Sequence, residues 1–265
     1  MHSDPSQNGV WPHREILGTR VDATSYSGAV RQVLGWADAS ESRYVCIASV
    51  NNVMEAYDSP DFRRIMRAAD LVTPDGMPLV WGLRLLGISW ATRVYGPDLT
   101  PQLLGAAEEE GIPVGFYGGS RQVLTRLVEI VAERYPRLRV AYAFSPPFRP
   151  LDLEENLRIT DEINSSGARL LFVGLNTPKQ DRWMAARRGH VRAVMLGVGA
   201  AFDFLAGAKP QAPRWMRSAG LEWLFRLATE PRRLWKRYLK HNPRFVALFA
   251  LQLLGFRHFG PETRS

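Results

Sequence analysis

The chain has 265 residues, 46% apolar and 23% charged, with a net charge of +8 and a single cysteine. That length can bury a large core, as one α/β domain or as a domain with an appendage, and the apolar–charged balance excludes a disordered chain. One cysteine excludes an intramolecular disulfide and fits a reducing compartment.

The N-terminal MHSDPSQNGVWPHRE is polar and lacks the apolar segment of a secretory signal. A helix is expected over 27–38. The apolar run 44–49 reads as a buried strand that encloses Cys46 as an inert thiol. After a helix over 60–69, a second strand over 71–73 runs into Pro74–Asp75–Gly76, with a helix expected over 78–87. Two readings of Asp75 stand side by side. It is either a local cap and turn residue, or a carboxylate mounted at a strand end as a general base.

Further helices are expected over 99–111, 120–135, 151–166 and 178–188, alternating with strands over 113–117, 138–143, 170–174 and 193–197. Alternation of this kind predicts an α/β fold, an open and mostly parallel sheet with helices on both faces. Ligands of such sheets bind at the carboxyl ends of the strands. The residues there are Asn51–Asn52, Asp75–Gly76, Gly118–Ser120, Asn176–Pro178 and Gly199–Ala200, mostly polar or glycine. The loop GFYGGS over 115–120 is either a tight turn or a phosphate cradle. Lys179 and Gln180, just after Pro178, lie in a helical first turn. They are either solvated or aimed at an anion.

The pattern changes after residue 208. Residues 209–265 hold 12 Lys and Arg against three acids, a net +9 that leaves −1 for residues 1–208. The expected division is therefore an α/β domain over 1–208 and a basic helical appendage over 209–265. Two or three helices rich in aromatic residues are expected, with Pro231 and Pro243 as breaks. The longest apolar run, 245–256, has 12 residues, short of the roughly 20 that a spanning helix needs. A basic, aromatic face suits a membrane surface, a nucleic acid or a phosphorylated substrate.

Several chemistries lack their signatures. There is no GxGxxG, GxxxxGK[ST], HExxH, DxD or GxSxG, and the five histidines are scattered. The titratable groups left at the edge are Asp75, Arg93, Asp98, Asp181 and Asp203. The alternative to an enzyme is a nucleotide-binding module whose basic tail docks nucleic acid.

Six segments carry a more specific signal: ADLVTPDGMPLVW, RVYGPDLTP, FYGGS, VGLNTPKQDRW, GVGAAFDFLAGAKPQAPRW and GLEWLFRLATEPRRLWKRYL. Together they resemble the WecG/TagA/CpsF glycosyltransferases, glycosyltransferase family 26, over about residues 49–237. The resemblance implies a Rossmann-like catalytic domain and an appendage that closes the active site and associates with the inner face of the cell membrane. It implies an inverting transfer, without a metal or other cofactor, from a UDP-sugar to a polyprenyl-diphosphate-linked acceptor in surface polysaccharide synthesis. It implies no nucleic-acid partner and leaves a homo-oligomer open. By motif, Asp75 matches the general base, and Ser49 and Asn51 match a Thr-x-Asn pair near the donor. Arg93, Asp98 and Gln180 match pocket-lining positions, and Arg226, Arg233 and Arg237 match a diphosphate-holding role. Ser49 stands in place of the family's threonine. Asp181 stands in place of its glutamate, with a shorter reach.

Overall fold

The computed structural model describes residues 10–256; residues 1–9 of the N-terminal segment and the tail cations Arg257 and Arg264 lie outside these described residues. A small antiparallel hairpin opens the chain, β1 (His13–Ile16) and β2 (Thr19–Asp22), turning at Leu17 and Gly18, both with positive φ. The main body then alternates as expected. It runs α1 (Tyr26–Asp38), β3 (Arg43–Ala48), α2 (Val50–Asp58), α3 (Pro60–Ala68), β4 (Leu71–Pro74), α4 (Met77–Leu85) and α5 (Gly96–Glu109). It continues through β5 (Val114–Gly118), α6 (Arg121–Arg134), β6 (Val140–Phe144), α7 (Leu153–Ser166), β7 (Leu170–Gly174), α8 (Lys179–Ala185), β8 (Val194–Gly197) and α9 (Ala201–Leu205).

Six strands form one parallel sheet in the order β4-β3-β8-β7-β5-β6. Strands β5, β7 and β8 are buried throughout, because helices cover both faces. Two apolar clusters result, one per face: Tyr44, Phe62 and Met66 belong to one, Phe116, Phe172 and Phe202 to the other. Burying each such side chain stabilises the fold by roughly 1.5–3 kcal/mol. The register aligns Ala48 with Pro74, Cys46 and Val173 with Gly197, and Gly118 with Gly174, so the carboxyl ends of five strands share one edge.

Beyond the sheet lie α10 (Arg214–Ser218), α11 (Glu222–Thr229) and α12 (Pro231–Leu253). Pro231 starts α12 at its first turn, where no amide bond is lost. Pro243, expected as a break, lies inside the helix. The turn around it is anchored from both sides. Arg244 donates to both oxygens of Asp58 at 2.7 and 2.9 Å, and Phe245 and Phe249 stack in the core with centroids 5.7 Å apart. This packing offsets an interior proline's cost of roughly 3 kcal/mol.

Candidate active site

The strand-end edge is roofed by α11 and α12, and a cavity of about 640 Å³ lies between them. Its floor is Ser49, Asn51 and Asn52 after β3, Asp75 and Gly76 after β4, Gly199 and Ala200 after β8, and Thr177 and Gln180 around the start of α8. Its roof carries Glu222, Arg226, Arg233 and Arg237. One wall is apolar, with Met77, Trp81 and Leu85 of α4 facing Val246, Phe249 and Leu253 of α12. Gly82 lets the two helices approach, since a Cβ there would stand 3.2 Å from the Phe249 ring.

Asp75 does not cap its own helix: Gly76 is the N-cap of α4 and makes no side-chain bond. The chain is held by the Asp75 N–H donating to the Ala48 carbonyl at 2.7 Å. The carboxylate turns away and accepts the N–H of Gly96, first residue of α5, at 3.0 Å. It is thus mounted on two strand ends and aimed at the positive end of another helix. Asp75 is half-buried by surface, because the cavity is open, yet its carboxylate is surrounded by protein at the cavity's base. Loss of water is the main cause that pushes its pKa up to about 6; Glu222 raises it further, and Arg93, the Gly96 N–H and Arg226 oppose the rise.

Arg93 lies over the Tyr95 ring at 4.0 Å and reaches three partners: Nε donates to the Asp75 carbonyl, Nη1 to the Arg217 carbonyl at 3.3 Å, and Nη2 to Glu222 Oε2 at 2.6 Å. Asp98 does not reach the cavity wall. It holds Arg217, whose Nη1 donates to both of its oxygens at 2.8 Å, and Arg217 lines the cavity in its place. Ser49 donates its hydroxyl to Asn52 Oδ1 at 3.1 Å. Asn52 Nδ2 donates to the Thr177 hydroxyl at 3.0 Å, and Thr177 donates to Asp181 Oδ2 at 2.9 Å. The network binds the β3 end to the start of α8 from beneath.

Gln180 is buried where Gly197 leaves room: a Cβ at that glycine would stand 2.8 Å from Gln180 Nε2. Six buried atoms of the residues lining this cavity have no hydrogen-bond partner, namely Asn51 Oδ1, Gln180 Oε1, Arg217 Nε, Arg226 Nε, Arg237 Nε and His241 Nδ1. A folded protein rarely leaves such groups unsatisfied away from a ligand site. Arg233, by contrast, is held by Glu230, with Nε 2.7 Å from Oε2 and Nη2 2.8 Å from Oε1. No group of three or more His, Cys, Asp or Glu among the described residues is placed to hold a metal ion.

A second cavity of about 660 Å³ adjoins the first and shares Asn176, Thr177 and Gly199 with it. Gly119, Ser120 and Lys179 line it. The glycines of FYGGS serve the turn: Gly119 N–H donates to the Gly174 carbonyl at 3.0 Å, and Ser120 caps α6 by accepting the Val123 N–H at 3.3 Å. A Cβ on Gly118 would stand 2.7 Å from Gly174. The loop's amides at Gly119 and Val123 are therefore spent within the protein.

The structure brings together Ser49, Asn51, Asp75, Arg93, Gln180, Arg226, Arg233 and Arg237 around one cavity and leaves Asp98 behind it. It adds Tyr95, Arg217, Glu222 and His241, which the sequence did not mark as site residues, and Asn52, marked there only as a strand-end residue. Glu222 carried the one available signal, as one of three acids in a tail of twelve cations. A parallel α/β sheet whose strand ends hold a recessed carboxylate beneath arginines is the arrangement of a group-transfer enzyme. The sequence model of the glycosyl transferase WecG/TagA/CpsF family matches residues 14–258, and the chain belongs to that family. It is a glycosyltransferase of the hexosyltransferase type. A relative from Bacillus spizizenii, an N-acetylglucosaminyldiphosphoundecaprenol N-acetyl-beta-D-mannosaminyltransferase, is 29% identical over 213 residues, 80% of each chain.

Proposed function

We propose that the protein transfers a sugar, with inversion, from a UDP-sugar to a polyprenyl-diphosphate-linked acceptor in bacterial surface polysaccharide synthesis. Asp75 takes the proton of the acceptor hydroxyl as that oxygen bonds to the anomeric carbon. The bond from that carbon to the phosphate oxygen breaks, and UDP leaves with the electron pair. Arg226 and Arg237, with Arg233 once released from Glu230, offset the charge growing on the leaving diphosphate in place of a divalent cation. Ser49, Asn51 and Gln180 line the donor side. The observation that carries the reading is the recessed Asp75 carboxylate under arginines whose Nε atoms lack partners.

The apolar wall between α4 and α12 supports a lipid-linked acceptor, because it continues from Asp75 to the surface at Leu85 and Leu253. The relative's name points to an N-acetylmannosaminyl donor; UDP-glucose and UDP-mannosaminuronic acid fit the same chemistry. The test is Asp75→Asn. Binding of UDP is expected within a few-fold of the parent, while transfer to a short-chain lipid-diphosphate acceptor falls at least about 100-fold. Transfer at the parental rate would remove Asp75 as the base.

A further inference from the structure

Glu222 opens α11, and its two oxygens are divided between two residues of the segment leading into α5. Oε2 accepts from Arg93 Nη2 at 2.6 Å, and Oε1 accepts the Tyr95 hydroxyl at 2.8 Å. Arg93 spends Nε on the Asp75 carbonyl and Nη1 on the Arg217 carbonyl. All three guanidinium nitrogens are committed, and none bonds the Asp75 carboxylate, whose partner among the described residues is the Gly96 N–H. That is unusual for neighbouring Arg and Asp, which form forked pairs readily. The side chains of Arg93 and Glu222 are only 16% and 12% exposed, so solvent screens their interaction far less than it screens a surface pair.

We propose, resting on Asp75 as the base, that Glu222 is a positioning residue: it holds the Arg93 guanidinium on the carbonyl side of Asp75, so the carboxylate is free to take the acceptor proton only while the appendage is docked. A base captured by Arg93 would be weak and blocked. A base with Glu222 in place is paired with one amide alone. The charged and titratable groups facing Asp75 are Tyr26 of α1, Arg93 and Tyr95 before α5, and Glu222 and Arg226 of α11. Of these, Glu222 is the carboxylate, and it comes from the appendage. Closure of the roof and activation of the base are then one event, which prevents turnover before the substrates are enclosed.

The test uses the full chain and the pH profile of kcat/KM. Glu222→Gln keeps a similar shape without the charge. Its acid limb is expected to move down by about half a pH unit or more, with kcat at pH 8 falling about tenfold and KM for the donor little changed. Glu222→Asp keeps the charge and should leave the limb at the parental pH. A folded Glu222→Gln whose limb coincides with the parent's overturns the proposal and leaves Glu222 as a brace. Where Glu222→Gln does not fold, Arg93→Lys reads the same geometry, since lysine lacks the fork that spans Glu222 and the Asp75 carbonyl. Its ammonium should fall back on the Asp75 carboxylate and lower the limb; an unmoved limb overturns the proposal. Asp75→Asn separates the two readings, because parental turnover in that variant sinks the base itself, whatever Glu222 does.

Discussion

Asp181 is fully buried beneath the cavity floor, with Oδ2 accepting the Thr177 hydroxyl and the Cys46 thiol beside it. A shorter side chain than the family's glutamate lets the carboxylate stay under Thr177, where it orients the hydroxyl that Asn52 meets from the other side. Burial pushes its carboxyl from 3.8 to about 6. For a carboxylate the sign is unfavourable: the native state holds the proton more tightly than the unfolded chain. Stability is therefore lost as pH rises from about 4 to about 6, and the loss persists above. Asp181→Asn removes that cost, so its melting temperature is expected to exceed the parent's at pH 8, by no more than about 3 kcal/mol in stability. The advantage should vanish below pH 4. Equal melting temperatures at pH 8 would show that the buried charge is already compensated. The same burial at Asp75 has a functional reading, because a base must be unprotonated: transfer should decline as pH falls through about 6. A profile flat down to pH 5 would contradict it.

At the scale of elements, Phe249 joins α12 to the body, packing against α4 where Gly82 leaves space. Phe249→Ala is expected to cost about 3 kcal/mol and to raise hydrogen exchange across α12 before the central strands exchange. Unchanged exchange in α12 would mean that Arg244 and Phe245 suffice. The six sheet strands were legible in the sequence because a buried parallel strand writes itself as an apolar run, and each expected strand overlaps an observed one. The β1–β2 hairpin was not legible: its strands have four residues each, and Leu17–Gly18 is an uncommon turn pair. Helices α2 and α9 were missed for a similar reason. They start within a few residues of strand ends, and the polar Asn51–Asn52 and the Gly199–Ala200 pair read as loop. Asp75 was legible as a strand-end carboxylate, but its hydrogen bond to Gly96 spans 21 positions in the chain and leaves no local pattern. Glu222 was hidden more fully, since its partners Arg93 and Tyr95 lie more than 120 residues earlier.

On the whole molecule, the strand ends of the near-neutral body form the floor of the cavity and the basic helices α11 and α12 its roof. No helix among the described residues is long and apolar enough to cross a membrane. The appendage instead exposes Trp215, Trp223, Trp235, Leu239 and Val246 among its cations. Arg232 and Lys236 are exposed on α12, and among the described residues neither lines the cavity or pairs with an acid. Aromatic side chains that sit at the headgroup level and cations that face anionic lipid act together in interfacial binding. Such a surface would hold the mouth between α4 and α12 against the bilayer, where a polyprenyl chain resides. Each cation near an anionic surface contributes about 1 kcal/mol. Reversing both in Arg232→Glu/Lys236→Glu is therefore expected to weaken binding to vesicles of anionic lipid by more than about tenfold. Turnover on a soluble short-chain acceptor should stay at the parental level, because the cavity is untouched. Binding by the parent should also fall as salt rises, in step with the screening length. Vesicle binding that survives the double reversal would shift the contact to another face. Tight binding to duplex DNA with a steep salt slope, and none to vesicles, would assign the basic tail to nucleic acid instead.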